Sequence, residues 1–398
     1  MRICLLYDSL QPYRIGGAER WYFSLAERLA EAGHQVTYVT MRQWSRAEGG
    51  RHPAAAVVAV GPRLPNYNRA GKRAIAGPLL FGLGVLAHLL RHGRRYDVVH
   101  TSSFPYFSLL AAALVQPFGG YRIVVDWFEF WSRAYWRRYL GKLGWVGWSV
   151  QRLCLRVGQH AFCLAELTAA RLRANGVNGP VEVLKGAYGG KVMLSRRSTG
   201  KPVAVFAGRL IPEKRLPLAL EAIGLARTTI PELRCLVFGR GPEWEAAARK
   251  IAEIGLEQAV NMADFVDRSV LEGAMADALC LLHPSEREGY GLVVVEAAAV
   301  GTPTILVAGE DNAAVELIEE GVNGFVAAEP SPEALAEAIV RTYRAGEAIR
   351  DSTVEWFKRN ADRLSIDSSL ERVVRSYQPP EGRACLGNPT SAGPGFGV

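Results

Sequence analysis

Short apolar runs alternate along this chain with stretches whose apolar residues recur every third or fourth position. Runs at 2–7, 35–40, 55–60, 97–100, 121–126, 161–164 and 181–184 predict buried strands. After the first of them, Trp21, Leu25, Leu29 and Ala32 share one helical face, opened by Gly16-Gly17-Ala18-Glu19 and stopped at Gly33. Helical spacing returns at 79–90 and 168–175, and in pieces over 131–156, where Gly141, Gly144 and Gly147 interrupt it. The rest of 42–73 is polar and irregular. Residues 186–200 are rich in Gly, Ser and Arg without an apolar period, which predicts a linker.

The pattern then restarts. Strands are expected at 203–209, 233–238, 279–283 and 304–307. Helices are expected at 217–227, from Glu243, and over 314–319, 332–343, 355–364 and 368–377. A repeated strand–turn–helix–strand order predicts two similar α/β domains, with expected limits of 1–190 and 191–360, a last helical piece at 361–377, and a Gly-, Pro- and Ser-rich tail over 378–398 expected to be disordered. One stretch pulls two ways. Residues 292–295 are Leu-Val-Val-Val, a strand by β-branched propensity. A strand already ends at His283, and Ala297-Ala298-Ala299 are strong helix formers, so a helix is expected from Gly291.

Composition narrows the class. The chain has 398 residues, 49% hydrophobic, the range of a soluble globular protein with room for two ordinary domains. Its six cysteines form no C-x-x-C pair and no metal-ligand spacing, which suits a reducing compartment. The N-terminus runs straight into a strand and lacks the pattern of a signal peptide, so a cytoplasmic protein is expected. The uncharged run 74–90 carries Gly77-Pro78, two more glycines and His88, and reads as a buried helix and not a membrane span. A net charge of +8 suits nucleotide diphosphates or anionic lipid head groups; nucleic acid is not expected as a partner. The segment 131–156 mixes Trp136, Tyr139, Trp145 and Trp148 with six bases and no acid. It fits an anionic membrane surface and equally an ordinary helix hairpin with a solvated basic face.

Chemistry concentrates after residue 283. Glu288 lies in a loop where Gly289 and Gly291 let a ligand approach the backbone, and Glu296 interrupts an apolar run, where a carboxylate is costly unless satisfied. Carboxylates accept from paired hydroxyls, and a helix starting near Gly291 would present its positive end to a phosphate. Read alone, the two acids fit equally a solvated loop acid and an ion-paired helix residue. Arg209 and Lys214 flank one turn at the end of a strand that closes in Gly208-Arg209, a fork and a point charge suited to a diphosphate. His100, at the end of a strand, is placed either to face a ligand or to serve as a core histidine.

Glu288-Gly289-Tyr290-Gly291-Leu292, with Glu296-Ala297 and Gly301-Thr302-Pro303, resembles the E-x7-E signature of the family-four retaining glycosyltransferases, and Gly208-Arg209-Leu210 with Lys214 resembles a second signature. The resemblance covers residues 1–377. It implies a GT-B fold, in which two Rossmann-like domains face a central cleft and a last helix crosses back to the first domain. It implies a nucleotide diphosphate sugar as donor, UDP- or GDP-linked, and a hydroxyl acceptor such as a lipid-linked saccharide, a glycan precursor or a small metabolite. No separate cofactor and no metal are expected, since there is no Asp-x-Asp motif. Glu288 is then the sugar contact, Glu296 the ribose contact, and Arg209 and Lys214 neutralise the leaving diphosphate. Gly16 and Gly17 resemble a loop near the donor phosphates. Gly239 and Gly241 resemble a Gly-x-Gly turn under the nucleotide, and Asp264, Phe265 and Val266 the segment that meets the base. The family pattern Asp-x-His-Glu is met here by Asp126-Trp127-Phe128-Glu129, with Phe128 in place of the histidine. Phenylalanine neither donates nor accepts a hydrogen bond. That departure leaves Asp126 and Glu129 as candidate contacts for the acceptor hydroxyl, and opens a second reading: a nucleotide-sugar-binding subunit without its own transfer activity. Attachment at the inner face of the membrane is the expectation that 131–156 adds.

Overall fold

The structure, a computed structural model, describes residues 1–14, 16–45, 48–64, 76–190 and 202–377. Seven of its strands form one all-parallel sheet: β1 (Arg2–Leu6), β2 (Gln35–Thr40), β3 (Ala56–Ala59), β4 (Val98–Ser102), β5 (Arg122–Asp126), β6 (His160–Cys163) and β7 (Val181–Val183), in the order β3-β2-β1-β4-β5-β6-β7. Side chains alternate across it. Cys4, Leu6, Val99, Ile123 and Val125 pack under α2 (Ala76–His92), α3 (Tyr106–Gly119), α4 (Arg133–Leu140), α5 (Gly144–Leu155) and α6 (Glu166–Ala174). Ile3, Leu5, Val98 and Val124 face the other way, toward α1 (Gly17–Glu31). Coverage on both faces is why the strands read as unbroken apolar runs.

The second sheet is also parallel, in the order β10-β9-β8-β11-β13-β15: β8 (Val203–Ala207), β9 (Arg234–Phe238), β10 (Val260–Ala263), β11 (Cys280–His283), β13 (Thr304–Val307) and β15 (Gly324–Ala327). The two-residue strands β12 (Arg287–Glu288) and β14 (Asp311–Asn312) pair beside it. Its helices are α7 (Leu216–Ala226), α8 (Trp244–Glu253), α9 (Arg268–Ala276), α10 (Leu292–Ala299), α11 (Pro332–Ala345) and α12 (Glu347–Leu364). The chain then recrosses. Tyr188 N–H donates to Leu364 O at 3.0 Å and Ile366 N–H to Tyr188 O at 2.9 Å, and α13 (Ile366–Ser376) lies on α1. Arg372 Nε holds Glu182 at 2.8 Å, so the last helix belongs to the core of the first domain.

Several expectations change. α3 fills the gap that the sequence reading leaves between Pro105 and Tyr121; its apolar residues run nearly unbroken, so no period marks it. α9 and β15 are likewise additional elements. Residues 314–319 form a single 3-10 stretch, Ala313–Leu317, which Asn312 caps through the Ala314 N–H and which ends at an extended Ile318. α12 begins at Glu347, behind Gly346 with φ +56°, eight residues before the expected 355. The part of the expected linker that is described is not loose: a Cβ on Gly186 would lie 2.2 Å from Ser365 O. The remainder, 191–200, and the tail 378–398 lie outside the described residues.

Candidate functional site

On the second domain the site is built from strand ends that only glycine permits. Gly208, behind β8, has φ +151°, and Gly239, behind β9, has φ +146°. A Cβ on Gly239 would sit 1.8 Å from Gly208 O, and one on Gly241 2.2 Å from Leu210 O. Gly208 N–H bonds Phe238 O and Gly239 N–H bonds Ala263 O, both at 3.0 Å, so the three strand ends form one stepped floor. Asp264, Phe265 and Val266 continue from β10 at its far edge, with Phe265 exposed.

Lys214 crosses that floor, its Cε 3.8 Å from where a Gly208 Cβ would be. Its Nζ pairs with Glu288 Oε1. The same oxygen lies 2.7 Å from His283 Nε2, and Ser285 Oγ is 3.2 Å from that nitrogen. Burial pushes the Glu288 carboxyl up, but Lys214 and His283 outweigh it and hold the group well below the usual carboxylate range. Burial also pushes His283 down, so at neutral pH it is an uncharged ring donating from Nε2. Arg209 stands exposed on the same turn. α10 starts at Leu292 behind Gly291, whose φ is +92°, and no side chain caps its first turn. Helix wins over strand for 292–295 because Val294, Val295 and the three alanines are buried together against neighbouring elements. Glu296 is held there by Arg20 of α1, with Arg20 Nη1 3.3 Å from Oε1. Burial still dominates and raises its pKa.

The three consecutive charges Glu286-Arg287-Glu288 each reach a different partner. Glu288 takes Lys214 from its own domain. Arg287 pairs with Glu129, and Glu286 with Arg138, both from the first domain. The Arg287 guanidinium lies over Tyr135 at 4.3 Å and Trp131 at 4.8 Å, while Trp131 Nε1 donates to Glu129 at 2.7 Å. Burial lowers the Arg287 pKa to about 10, opposed by Glu288 and Asp311, so it stays charged at neutral pH. Gly289 is where the two walls touch: a Cβ there would lie 2.3 Å from Phe128 O. Gly16 is extended and Gly17 opens α1, placing Arg20 opposite α10.

The structure corrects three placements. His100 is 0% exposed, with Nδ1 bonded to Tyr377 and Nε2 3.0 Å from Asp126 Oδ2, too poorly aligned for a hydrogen bond. It is a core histidine and does not line the cleft. Asp126 is buried too and accepts from Trp21 Nε1 at 2.8 Å, so an acceptor hydroxyl cannot reach it without displacing that packing. The Tyr290 side chain points away from the floor, packs beside Tyr188 and donates to Lys185 O at 2.8 Å. Phe128 does border the cleft through its carbonyl, with its ring edge-on to Tyr22 at 6.4 Å. Leu292 and Glu129 are partly exposed.

Sequence reasoning missed Arg20, His283 and Arg287. Arg20 left one signal: a cation in the first turn of a helix opposes the helix dipole and wants an acid nearby. His283 and Arg287 left none, because their partners are set by the fold.

Comparisons with known proteins follow the same division. Residues 15–186 match the family model described as Glycosyltransferase Family 4, and residues 195–352 match Glycosyl transferases group 1. An exopolysaccharide phosphotransferase of Streptomyces coelicolor is 31% identical over 42% of this chain and 18% of its own length. The chain spans less than half the length of the first three curated relatives it matches. A glycogen synthase of Mycobacterium tuberculosis is 25% identical over 95% of this chain and 97% of its own. The crystal structure of HepE from Anabaena in complex with UDP and glucose has a TM-score of 0.71 at 17% identity, over 94% of this chain and 99% of the other. With one model on each sheet and a GT-B neighbour spanning both, the chain belongs to the family-four GT-B glycosyltransferases.

Proposed function

We propose that this protein transfers a sugar, with retention of configuration, from a nucleotide diphosphate sugar to a hydroxyl acceptor. One observation carries the reading: Lys214 crosses a glycine floor and pairs with Glu288, four residues before the uncapped start of α10, with Arg209 on the same turn as Lys214. The floor suits a nucleotide, Asp264–Val266 its base and Glu296 its ribose. Lys214, Arg209 and the α10 amides stabilise the charge that grows on the departing diphosphate. Glu288, kept ionised, receives hydroxyls of the donor sugar. The bond from the anomeric carbon to the diphosphate breaks, the bond to the acceptor oxygen forms on the same face, and a phosphate oxygen of the leaving group takes the acceptor proton. No protein base is required, which fits a wall whose buried acid and histidine are already bonded. The complex of HepE with UDP and glucose favours a UDP-linked donor.

The second reading, a binding subunit without transfer, rests on Phe128, which offers the sugar no hydrogen bond. A titration with UDP, GDP and their sugars, without added metal, followed by a donor-hydrolysis assay, separates the two. Binding with slow sugar release supports transfer. Binding without release, even with hydroxyl acceptors added, supports the subunit. No binding refutes the floor as a nucleotide site.

A further inference from the structure

Large apolar side chains are exposed along one side of the first domain. On α2 the stripe Leu79, Leu83 and Leu90 faces outward, with Leu90 66% exposed. On α3 Leu114 and Phe118 do the same, Phe118 at 69%. On α5 and the turn before it, Leu143, Trp145 and Leu153 are exposed, Trp145 at 64%. α3 packs against both α2 and α5, so the three stripes adjoin. Elsewhere among the described residues such side chains stand singly: Met1, Leu225, Phe265, Val270 and Tyr343.

Charge decides what this face meets. The helices α2, α3, α4 and α5 contain no aspartate or glutamate. Arg91, Arg94 and Arg95 ring the end of α2, and Arg94 Nε donates to Phe118 O at 3.2 Å, which puts a cation beside the most exposed ring. Arg133, Arg137, Lys142 and Arg152 are exposed along α4, its following turn and α5. A second copy of the same face would bring bases against bases. An acidic protein would satisfy the bases but not call for so many protruding leucines beside Phe118 and Trp145. An anionic bilayer satisfies both, since apolar side chains enter the head-group boundary while bases hold lipid phosphates.

We propose that the outer face of α2, α3 and α5, with the bases of α4 at its rim, docks this protein on an anionic lipid bilayer. No helix among the described residues is long and apolar enough to cross a membrane, so the contact is a surface one. α4 also carries Arg138, which reaches Glu286 across the cleft, so docking would set the cleft beside the lipid surface. The inference does not depend on the transfer reading.

The test is co-sedimentation of the full chain with vesicles of phosphatidylcholine alone and with added phosphatidylglycerol. Binding is expected only with phosphatidylglycerol, and to weaken with salt. Arg91→Ala with Lys142→Ala should lower vesicle affinity about thirtyfold, the scale of two interfacial bases. Phe118→Ser with Trp145→Ser should weaken it as well. All four positions are exposed, and thermal melting with nucleotide binding reports whether the variants stay folded and keep the cleft. Equal binding to both vesicle types overturns the role of charge. No binding, or binding that neither pair weakens, overturns the proposal. A concentration-dependent dimer in sedimentation velocity that Phe118→Ser and Trp145→Ser abolish would assign the face to a second copy instead.

Discussion

The two walls of the cleft treat their charges in opposite ways. On the second domain, Lys214 and Glu288 meet over backbone that glycines keep bare, and Arg209 lies exposed on the same turn. On the first, Asp126 and His100 are spent inward on Trp21 and Tyr377, and Glu129 is spent across the gap on Arg287. A charged group over a bare floor can be redirected to a ligand. One sealed under a strand end can only brace the wall. On the proposed transfer reading, the difference would put electrostatic catalysis on the second domain and leave the first to shape.

The sharpest way to break that comparison is Lys214→Met. If the cation stabilises the leaving diphosphate, kcat should fall about 10²–10³-fold, the usual loss for one preorganised charge donor, with the fold intact. Single-turnover kinetics with saturating donor would show it, and unchanged turnover would move catalysis off this wall. Arg209→Ala should weaken nucleoside diphosphate binding by about 1.5–3 kcal/mol, the range of a charged hydrogen bond, read by calorimetry. The first-domain wall should answer differently. Asp126→Asn disturbs a buried acceptor and should cost about 1–3 kcal/mol of stability in denaturant melts, while turnover per folded molecule stays near wild type. A large loss of turnover with stability intact would return Asp126 to the chemistry.

This contrast also explains what was legible. The motif of the second domain is local: Gly208 to Lys214 and Glu288 to Glu296 are short intervals whose residue types and spacing carry the family resemblance, although read alone the residues also fit ordinary structural roles. Residues 292–295 show local propensity losing to context, since valines that favour a strand become helical once the sheet positions beside them are filled by β11 and β13. The first-domain wall depends on pairs far apart in sequence, such as Arg20 with Glu296 and Arg287 with Glu129. Nothing in either partner's neighbourhood names the other. His100 illustrates the remaining ambiguity: a strand-end histidine reads the same whether it faces the cleft or is covered, and the cover is Tyr377, from the far end of the chain.

The finest test compares the two acids of one motif. Glu288 has its pKa lowered by Lys214 and His283 against burial, so its charge stabilises the fold above the unfolded carboxyl value, about 4.3, and that contribution is lost as pH falls below it. Glu296 has its pKa raised, with burial outweighing Arg20 and Arg268, so its contribution has the reverse sign: present below about 4.3 and lost as pH rises through the raised value. Glu288→Gln should therefore melt below wild type near pH 7, with the gap closing on acidification. Glu296→Gln should melt at or above wild type near pH 7 and match it in acid. Shifts of about 2–4 °C are expected for a chain with domains of this size. Melting curves from pH 3.5 to 7.5 decide it. Gaps of the same sign for both variants would mean that Arg20, reaching over from the first domain, neutralises Glu296 as fully as Lys214 neutralises Glu288 from within the second.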